Sequence, residues 1–308
     1  MSELRHDPLS GDDVIVAAGR AARPTTFATN DSDAAGIAGC PFCPGHEEQT
    51  PPEVLRTGAG VPGTPGWRVR AFPNLYPIVG DGPTESGITG AHEVVVLSPD
   101  HRRSFAGLDD DEAVEAVCVW RDRMRFHLDD GAQYAVAILN HLRAAGASIA
   151  HPHAQVFALD VVPPTVSGAL LRARAAGTDL VMGDWTRERL TVARDQVVVW
   201  CPFASTSPYL VRIAHEAASA RFDRAEDATV VTTALALRDT LARLQSLLGD
   251  VPYNVVVRTA PRDDEPFHWY VDVIPRISVI AGFEQATGIL VNTVPPELAA
   301  QQLNEVGP

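Results

Sequence analysis

Two stretches of this chain run through the same order of elements, and that repetition narrows its possible folds more than any single motif. The first run has a strand ending near His101, a helix, a strand from Tyr134, a loop and a strand from His151. The second has a strand ending at His215, a helix, a strand from Tyr253, a loop and a strand from His268. Periodicity supports each element. Val114, Val117, Cys118, Trp120, Met124 and Phe126 form an apolar stripe at helical spacing within residues 108–128, and a longer helix is expected over residues 227–248. Five positions separate His151 from Val156, and five separate His268 from Val273. Aligned on those pairs, His153 falls on Tyr270 and Gln155 on Asp272. The second copy keeps the scaffold and loses the paired histidines, so the repeat predicts a pseudo-twofold molecule with one chemically equipped half. The other half is expected to bind or to shape rather than to react.

Around the repeat, strands are expected at residues 14–16, 67–72, 92–97 and 195–201, a helix within 162–181, and a tail punctuated by Gly, Glu and Pro. A chain of 308 residues can bury one large core or two ordinary domains. Its net charge of -14 argues against nucleic acid or an anionic membrane as the main partner, because both need a cationic surface. No apolar run reaches membrane-spanning length, and the first residues lack the order of a signal peptide, so a cytoplasmic protein is expected. Four cysteines do not make a disulfide framework in a chain this long.

Cys40-Pro41-Phe42-Cys43-Pro44-Gly45 reads as a tight turn that brings two thiolates together, which is half of a tetrahedral zinc site. A redox pair or inert thiols are the alternatives. In His151-Pro152-His153-Ala154-Gln155, strand alternation aims His151, His153 and Gln155 at one face and Val156 and Ala158 at the other. Pro152 lacks a backbone donor, so an edge or interrupted strand is expected there. If Cys40, Cys43, His101 and His151 meet, they close a Cys2His2 tetrahedron with no open position. The metal would then pin the strand, and His153 would be free to attack phosphorus, with Gln155 donating to a phosphate oxygen. Arg20 and Arg23, before Pro24, could hold a phosphate or be solvated loop charges, and Arg276 is a further candidate.

These motifs, with Thr50-Pro51-Pro52-Glu53, Phe72-Pro73-Asn74, Ser98-Pro99-Asp100-His101, Phe267-His268-Trp269 and Ile274-Pro275-Arg276, resemble the galactose-1-phosphate uridylyltransferase family of the histidine-triad superfamily. The resemblance covers nearly the whole chain. It implies an α+β fold of tandem histidine-triad-like domains, here 1–165 with the zinc knuckle and active histidine and 166–308 without the nucleophile. It also implies ping-pong transfer of a nucleoside monophosphate through a nucleotidyl-histidine. Carried over, His153 matches the nucleophile, Gln155 and Ser148 the phosphate contacts, and Cys40, Cys43, His101 and His151 the ligands of a structural zinc. Asn74 and Asn140 match residues near the nucleotide, and Arg20 and Arg23 the arginines of the amino-terminal loop. Phe283 and Glu284 match a segment near the sugar, sometimes supplied across a dimer, so a homodimer is a further expectation. A second metal site is not expected, because the histidines that would hold it fall on Tyr270 and Asp272. The expected partners are a nucleotide sugar and a sugar phosphate, with UDP-glucose and a hexose 1-phosphate foremost. Ala147-Ser148-Ile149-Ala150 departs from the Asn-Pro version and resembles relatives acting on adenylylated compounds, so ADP-sugar or dinucleoside polyphosphate is the alternative. A zinc-stabilised nucleotide-binding protein without turnover, and a hydrolase, are the other readings.

Overall fold

The structure is a computed structural model that describes residues 2–19, 39–80, 88–217, 219–262 and 266–307. The first half of the chain holds β1 (Glu3–His6), β2 (Asp13–Val16), β3 (Leu55–Gly58), β4 (Trp67–Pro73), β5 (Gly90–Val96), α1 (Asp110–Asp129), β6 (Tyr134–His141) and β7 (His153–Leu159). The second holds α2 (Pro164–Ala176), β8 (Leu190–Arg194), β9 (Val197–Trp200), β10 (Val211–His215), α3 (Asp227–Leu248), β11 (Tyr253–Arg258) and β12 (Tyr270–Pro275). The tail adds α4 (Gly282–Thr287), β13 (Leu290–Asn292) and α5 (Pro296–Glu305).

Among the described residues, ten strands form one sheet in the order β3, β4, β5, β7, β6, β11, β12, β10, β9, β8. Five come from each repeat. The seam is the antiparallel pair β6 and β11, from Tyr253 opposite His141 to Val256 opposite Ile138. Because the seam is hydrogen-bonded, the repeats share one sheet and place their α1 and α3 against each other on it. The first strands of the chain side with its end: β1, β2 and β13 make a small separate sheet.

The helix periods explain the packing. Ala113, Ala116, Val117, Trp120, Met124 and Leu128 are the buried stripe of α1, and Val230, Ala234, Leu237, Leu241 and Leu244 that of α3. Phe126, expected in the α1 stripe, is exposed, and the Arg123 guanidinium lies 4.3 Å from its ring centre. A capping box starts α1: Asp109 accepts from Glu112 N at 2.9 Å, and Glu112 accepts from Asp109 N at 3.0 Å. A buried ion pair bolts α1 to β5, with Arg123 donating to both oxygens of Glu93 at 2.7 and 2.6 Å, and His127 2.8 Å from the same carboxylate.

The structure corrects two expectations. β7 is not an edge strand, since it pairs with β5 on one side and β6 on the other. The strand begins at His153, so Pro152 sits just outside the ladder, where its missing N–H costs nothing. The strand expected at 195–201 is present as β9, the second arm of a hairpin whose turn residues Asp195 and Gln196 have φ of 50° and 64°. That geometry is a primed two-residue turn, and the sequence there lacks the glycine that usually announces one. The repeats also align differently at their first strands: His268 Nε2 lies 2.9 Å from His215 O, and His151 Nε2 lies 2.8 Å from Ser98 O. Each carbonyl is 53 residues before its histidine, so His215 corresponds to Ser98 rather than to His101. No helix among the described residues is long and apolar enough to cross a membrane.

Candidate active site and metal centre

The CPFC turn is built locally. Cys43 N donates to Cys40 O at 3.3 Å, His46 N to Cys43 O at 3.2 Å, and Gly45 has φ of 91°, a conformation that favours glycine. Glu47 ties the turn to β4 by accepting from Trp67 Nε1 at 2.7 Å and from Gly45 N at 2.9 Å. Phe42, Phe72, Val94 and Val96 pack around the two thiols.

Against this knuckle the fold brings His101, past the end of β5, and His151, before β7. The four candidate ligand atoms of Cys40, Cys43, His101 and His151 lie within 4.8 Å of one another. Cys43 Sγ is 3.3 Å from His101 Nδ1 and 3.6 Å from His151 Nδ1, and Cys40 Sγ is 3.7 Å from His151 Nδ1. Zinc bonds of about 2.3 Å to sulfur and about 2.0 Å to nitrogen at tetrahedral angles put sulfur and nitrogen about 3.5 Å apart. The residues therefore fit a tetrahedral cation. Burial, then the adjoining Cys40 thiol, push Cys43 up to about 11, so two thiolates need a cation to share this site. Burial holds His151 down at about 4, and its Nε2–H is committed to Ser98 O, which turns the Nδ1 lone pair toward the sulfurs.

His153 follows two residues later and is also buried. Its Nδ1 is 2.9 Å from the His151 carbonyl, which can only accept, so the proton sits on Nδ1 and Nε2 keeps its lone pair. Among the described residues Nε2 has no hydrogen-bond partner. Burial first, then the neighbouring His92, lower the affinity of this imidazole for a second proton, which keeps it neutral. Phe42, from between the two cysteines, sets its ring edge-on to His153 at 5.2 Å.

Gln155 is oriented by a residue that motif reading left without a role. Ile78 N donates to His92 Nδ1 at 3.2 Å, so His92 carries its proton on Nε2 and donates it to Gln155 Oε1 at 2.7 Å. The Gln155 amide NH2 is thereby directed away from His92. Phe157 stacks on His92 at 4.1 Å. Asn74 stands beside this group, its N–H donating to His92 O at 2.7 Å and its Oδ1 accepting from Tyr76 N at 2.9 Å. Histidine at the entrance of an alternating strand beside Phe72-Pro73-Asn74 is the only sequence trace of this arrangement.

A small cavity of about 20 Å³ opens at His153, walled by Asn140, Leu142, Ala147, Ile149 and Tyr253 among others. Asn140 Oδ1 accepts from Asn254 Nδ2 at 2.7 Å across the seam. Leu142 has φ of 64° and ψ of 160°, a combination rare outside glycine, which marks strain in the wall beside the nucleophile candidate. Ser148 is exposed between two wall residues. Phe283 and Glu284 lie on α4, with Phe283 exposed, and neither is a wall of this cavity. Arg276 is exposed after β12. Arg20 and Arg23 lie outside the described residues.

Residues 104–306 match a family described as a domain of unknown function, DUF4921. ADP-glucose phosphorylase of Arabidopsis thaliana is 30% identical over 99% of this chain and 93% of its own length. Galactose-1-phosphate uridylyltransferase of Thermotoga maritima is 27% identical over 99% of this chain and 98% of its own. The crystal structure of the Arabidopsis ADP-glucose phosphorylase with bound ADP-glucose has a TM-score of 0.89 at 30% identity, over 100% of this chain and 99% of that one. A uridylyltransferase structure, at 23% identity and TM-score 0.76 over 99% and 98% of the two chains, shares the fold. Fold and relatives together define the class, an α+β nucleotidyltransferase built of tandem histidine-triad-like halves. Within that class the chain belongs to the galactose-1-phosphate uridylyltransferase family, and its residues 104–306 match DUF4921.

Proposed function

We propose that the chain moves the nucleoside monophosphate of a nucleotide sugar through a covalent adduct on His153, and that this nucleotide is adenylyl. The reading is carried by one observation: a buried, neutral imidazole with Nδ1–H tied to a carbonyl and Nε2 left bare. Nε2 attacks the α-phosphorus of an ADP-sugar, the N–P bond forms, and the P–O bond to the β-phosphate breaks, releasing the sugar 1-phosphate. An oxygen of orthophosphate then attacks the same phosphorus, the N–P bond breaks, and ADP leaves. Gln155 donates its amide N–H to a non-bridging oxygen in both steps, held by His92. Ser148 and Asn140 contact the phosphates in this scheme, Asn74 lies near the nucleotide, and Arg20 and Arg23 supply positive charge for the phosphates.

Zinc is the metal this reading places at Cys40, Cys43, His101 and His151, because two thiolates and two imidazoles suit it. When bound it supplies a closed, rigid anchor for the turn ahead of His153. Residues 1–165 act as the equipped half and 166–308 as its partner. Exposed Ile277, Val279, Ile280 and Phe283 support a homodimer in which this segment brings Phe283 and Glu284 to the other copy's sugar. Four free cysteines suit a reducing cytoplasm.

Adenylyl is favoured over uridylyl by the 30% identity and TM-score 0.89 to ADP-glucose phosphorylase. The second reading, a UDP-glucose:hexose-1-phosphate uridylyltransferase in galactose metabolism, rests on the Thermotoga relative. Incubating the zinc-loaded protein with ADP-glucose, UDP-glucose or diadenosine polyphosphate, then weighing the peptide that holds His153, decides between them. An adenylyl adduct released by orthophosphate is expected. A uridylyl adduct alone selects the second reading, and no adduct from any donor overturns both in favour of a nucleotide-binding protein without turnover.

A further inference from the structure

The half that lacks the paired histidines holds the larger of the two cavities, about 180 Å³ against about 20 Å³ at His153. Tyr270 and Asp272, the repeat counterparts of His153 and Gln155, both line it. It is therefore the second half's version of the active-site cavity. Its cover is the turn between β1 and β2. Arg172 holds that turn by donating from Nε to Leu9 O at 2.7 Å and from Nη2 to Ser10 O.

Arg212, Arg258, Tyr134 and Tyr270 share the lining with three aspartates, Asp7, Asp12 and Asp272. Arg212 is buried, its guanidinium lies 4.2 Å from the Tyr270 ring centre, and its Nε donates to Asp272 Oδ1 at 2.9 Å. Arg258 Nε lies 3.4 Å from the other oxygen of the same carboxylate. Asp272 is thus used by both Nε atoms. Among the described residues the Nη atoms of both arginines and the hydroxyls of buried Tyr134 and Tyr270 make no hydrogen bond, although all four side chains line the cavity. None of these atoms is sealed from solvent, so a ligand entering the cavity can meet them without breaking a hydrogen bond within the protein. Asp7 Oδ1 accepts from the N–H groups of Leu9 and Ser10, its carboxylate still acts electrostatically on Arg212, and Asp12 also lines the cavity. Two guanidinium forks and two phenols converging on one space complement an oxyanion with several acceptor oxygens.

We propose that this cavity binds the phosphate group of a small anion, free orthophosphate or a sugar phosphate, through Arg212, Arg258, Tyr134 and Tyr270. The site is independent of the reaction at His153. Its test is an isothermal titration of the zinc-loaded, full-length protein with inorganic phosphate and, separately, glucose 1-phosphate. Phosphate is expected to fill a site that Arg258→Gln weakens at least tenfold and Tyr270→Phe several-fold, with zinc content, melting temperature and labelling at His153 unchanged. Gln155→Ala leaves that site intact. Tighter binding of glucose 1-phosphate assigns the sugar ester, and tighter binding of orthophosphate assigns the free ion. Superimposable isotherms for the wild type, Arg258→Gln and Tyr270→Phe, all folded, overturn the proposal, as does preference for uncharged glucose. A protein that never labels at His153 still gives the second-half isotherm, so the two readings fail separately.

Discussion

His151 and His268 stand at the same place in the two halves, each giving Nε2–H to a carbonyl 53 residues earlier. They differ at the other nitrogen. His151 Nδ1 meets the sulfurs of Cys40 and Cys43, brought by a turn that precedes the repeat. His268 Nδ1 meets Asp179 Oδ2 at 2.8 Å, brought by the segment after α2. Two residues on, His153 is neutral with a bare Nε2, whereas Tyr270 lies under the Arg212 guanidinium. Four on, the Gln155 amide is steered by His92, while the Asp272 carboxylate is neutralised by two arginines. The duplicated unit thus supplies a frame, and segments outside it decide whether a half faces a metal or an ion pair.

The sharpest way to break that comparison is to alter matched positions. His153→Ala is expected to lower adduct formation by a factor on the order of 10⁴ to 10⁶ and to keep the metal, whereas Tyr270→Phe leaves labelling unchanged. Mass spectrometry of the labelled peptide reads both. His151→Ala is expected to lose the metal and several kcal/mol of stability with it, whereas His268→Ala costs about 1–3 kcal/mol and no metal. Metal analysis beside urea unfolding separates those outcomes, and equal metal content in the two variants would sink the division of roles.

Smaller effects sharpen the contrast. The equipped half ties its sheet to its helix through Glu93 and Arg123, while the other half keeps its buried pair, Arg212 and Asp272, within the sheet. Glu93→Ala is expected to cost about 3–5 kcal/mol because it leaves a buried cation alone. Burial works to raise the Glu93 carboxyl, yet Arg123 and His127 hold it below the usual 4.5. A carboxyl lowered by folding stabilises the native state above its unfolded value and loses that contribution as pH falls through the native one. The stability gap between wild type and Glu93→Gln should therefore narrow below about pH 4.5 in unfolding titrations. His92→Phe, which keeps the ring stack and removes the donor to Gln155, is expected to lower kcat about 10- to 100-fold with little change in metal content. An unchanged kcat would mean that Gln155 needs no such support.

Much of this frame was legible beforehand. The stripe at Val117, Trp120 and Met124 and the span of α3 follow from helical period, and the four ligand candidates follow from residue type. His92 stayed hidden because its role depends on a backbone N–H from Ile78 and a side chain on the adjacent strand, neither of which leaves a spacing signal. The hairpin at Asp195 was hidden by the absence of a glycine at its turn. The tail elements α4, β13 and α5 are short, and their order comes from partners distant in sequence, such as β2 for β13.

By itself, the sequence determined the duplication, the periods of the main helices and the chemical kinds present at the site. Those are properties of neighbours along the chain. Tertiary structure alone decided that Cys40 and His151, 111 residues apart, point at one another. It placed β7 in the interior of its half of the sheet and gave the bare nitrogen of His153 to Nε2. Strand pairing and tautomer are set by whichever group lies across the gap, and spacing along one chain holds no measure of that distance.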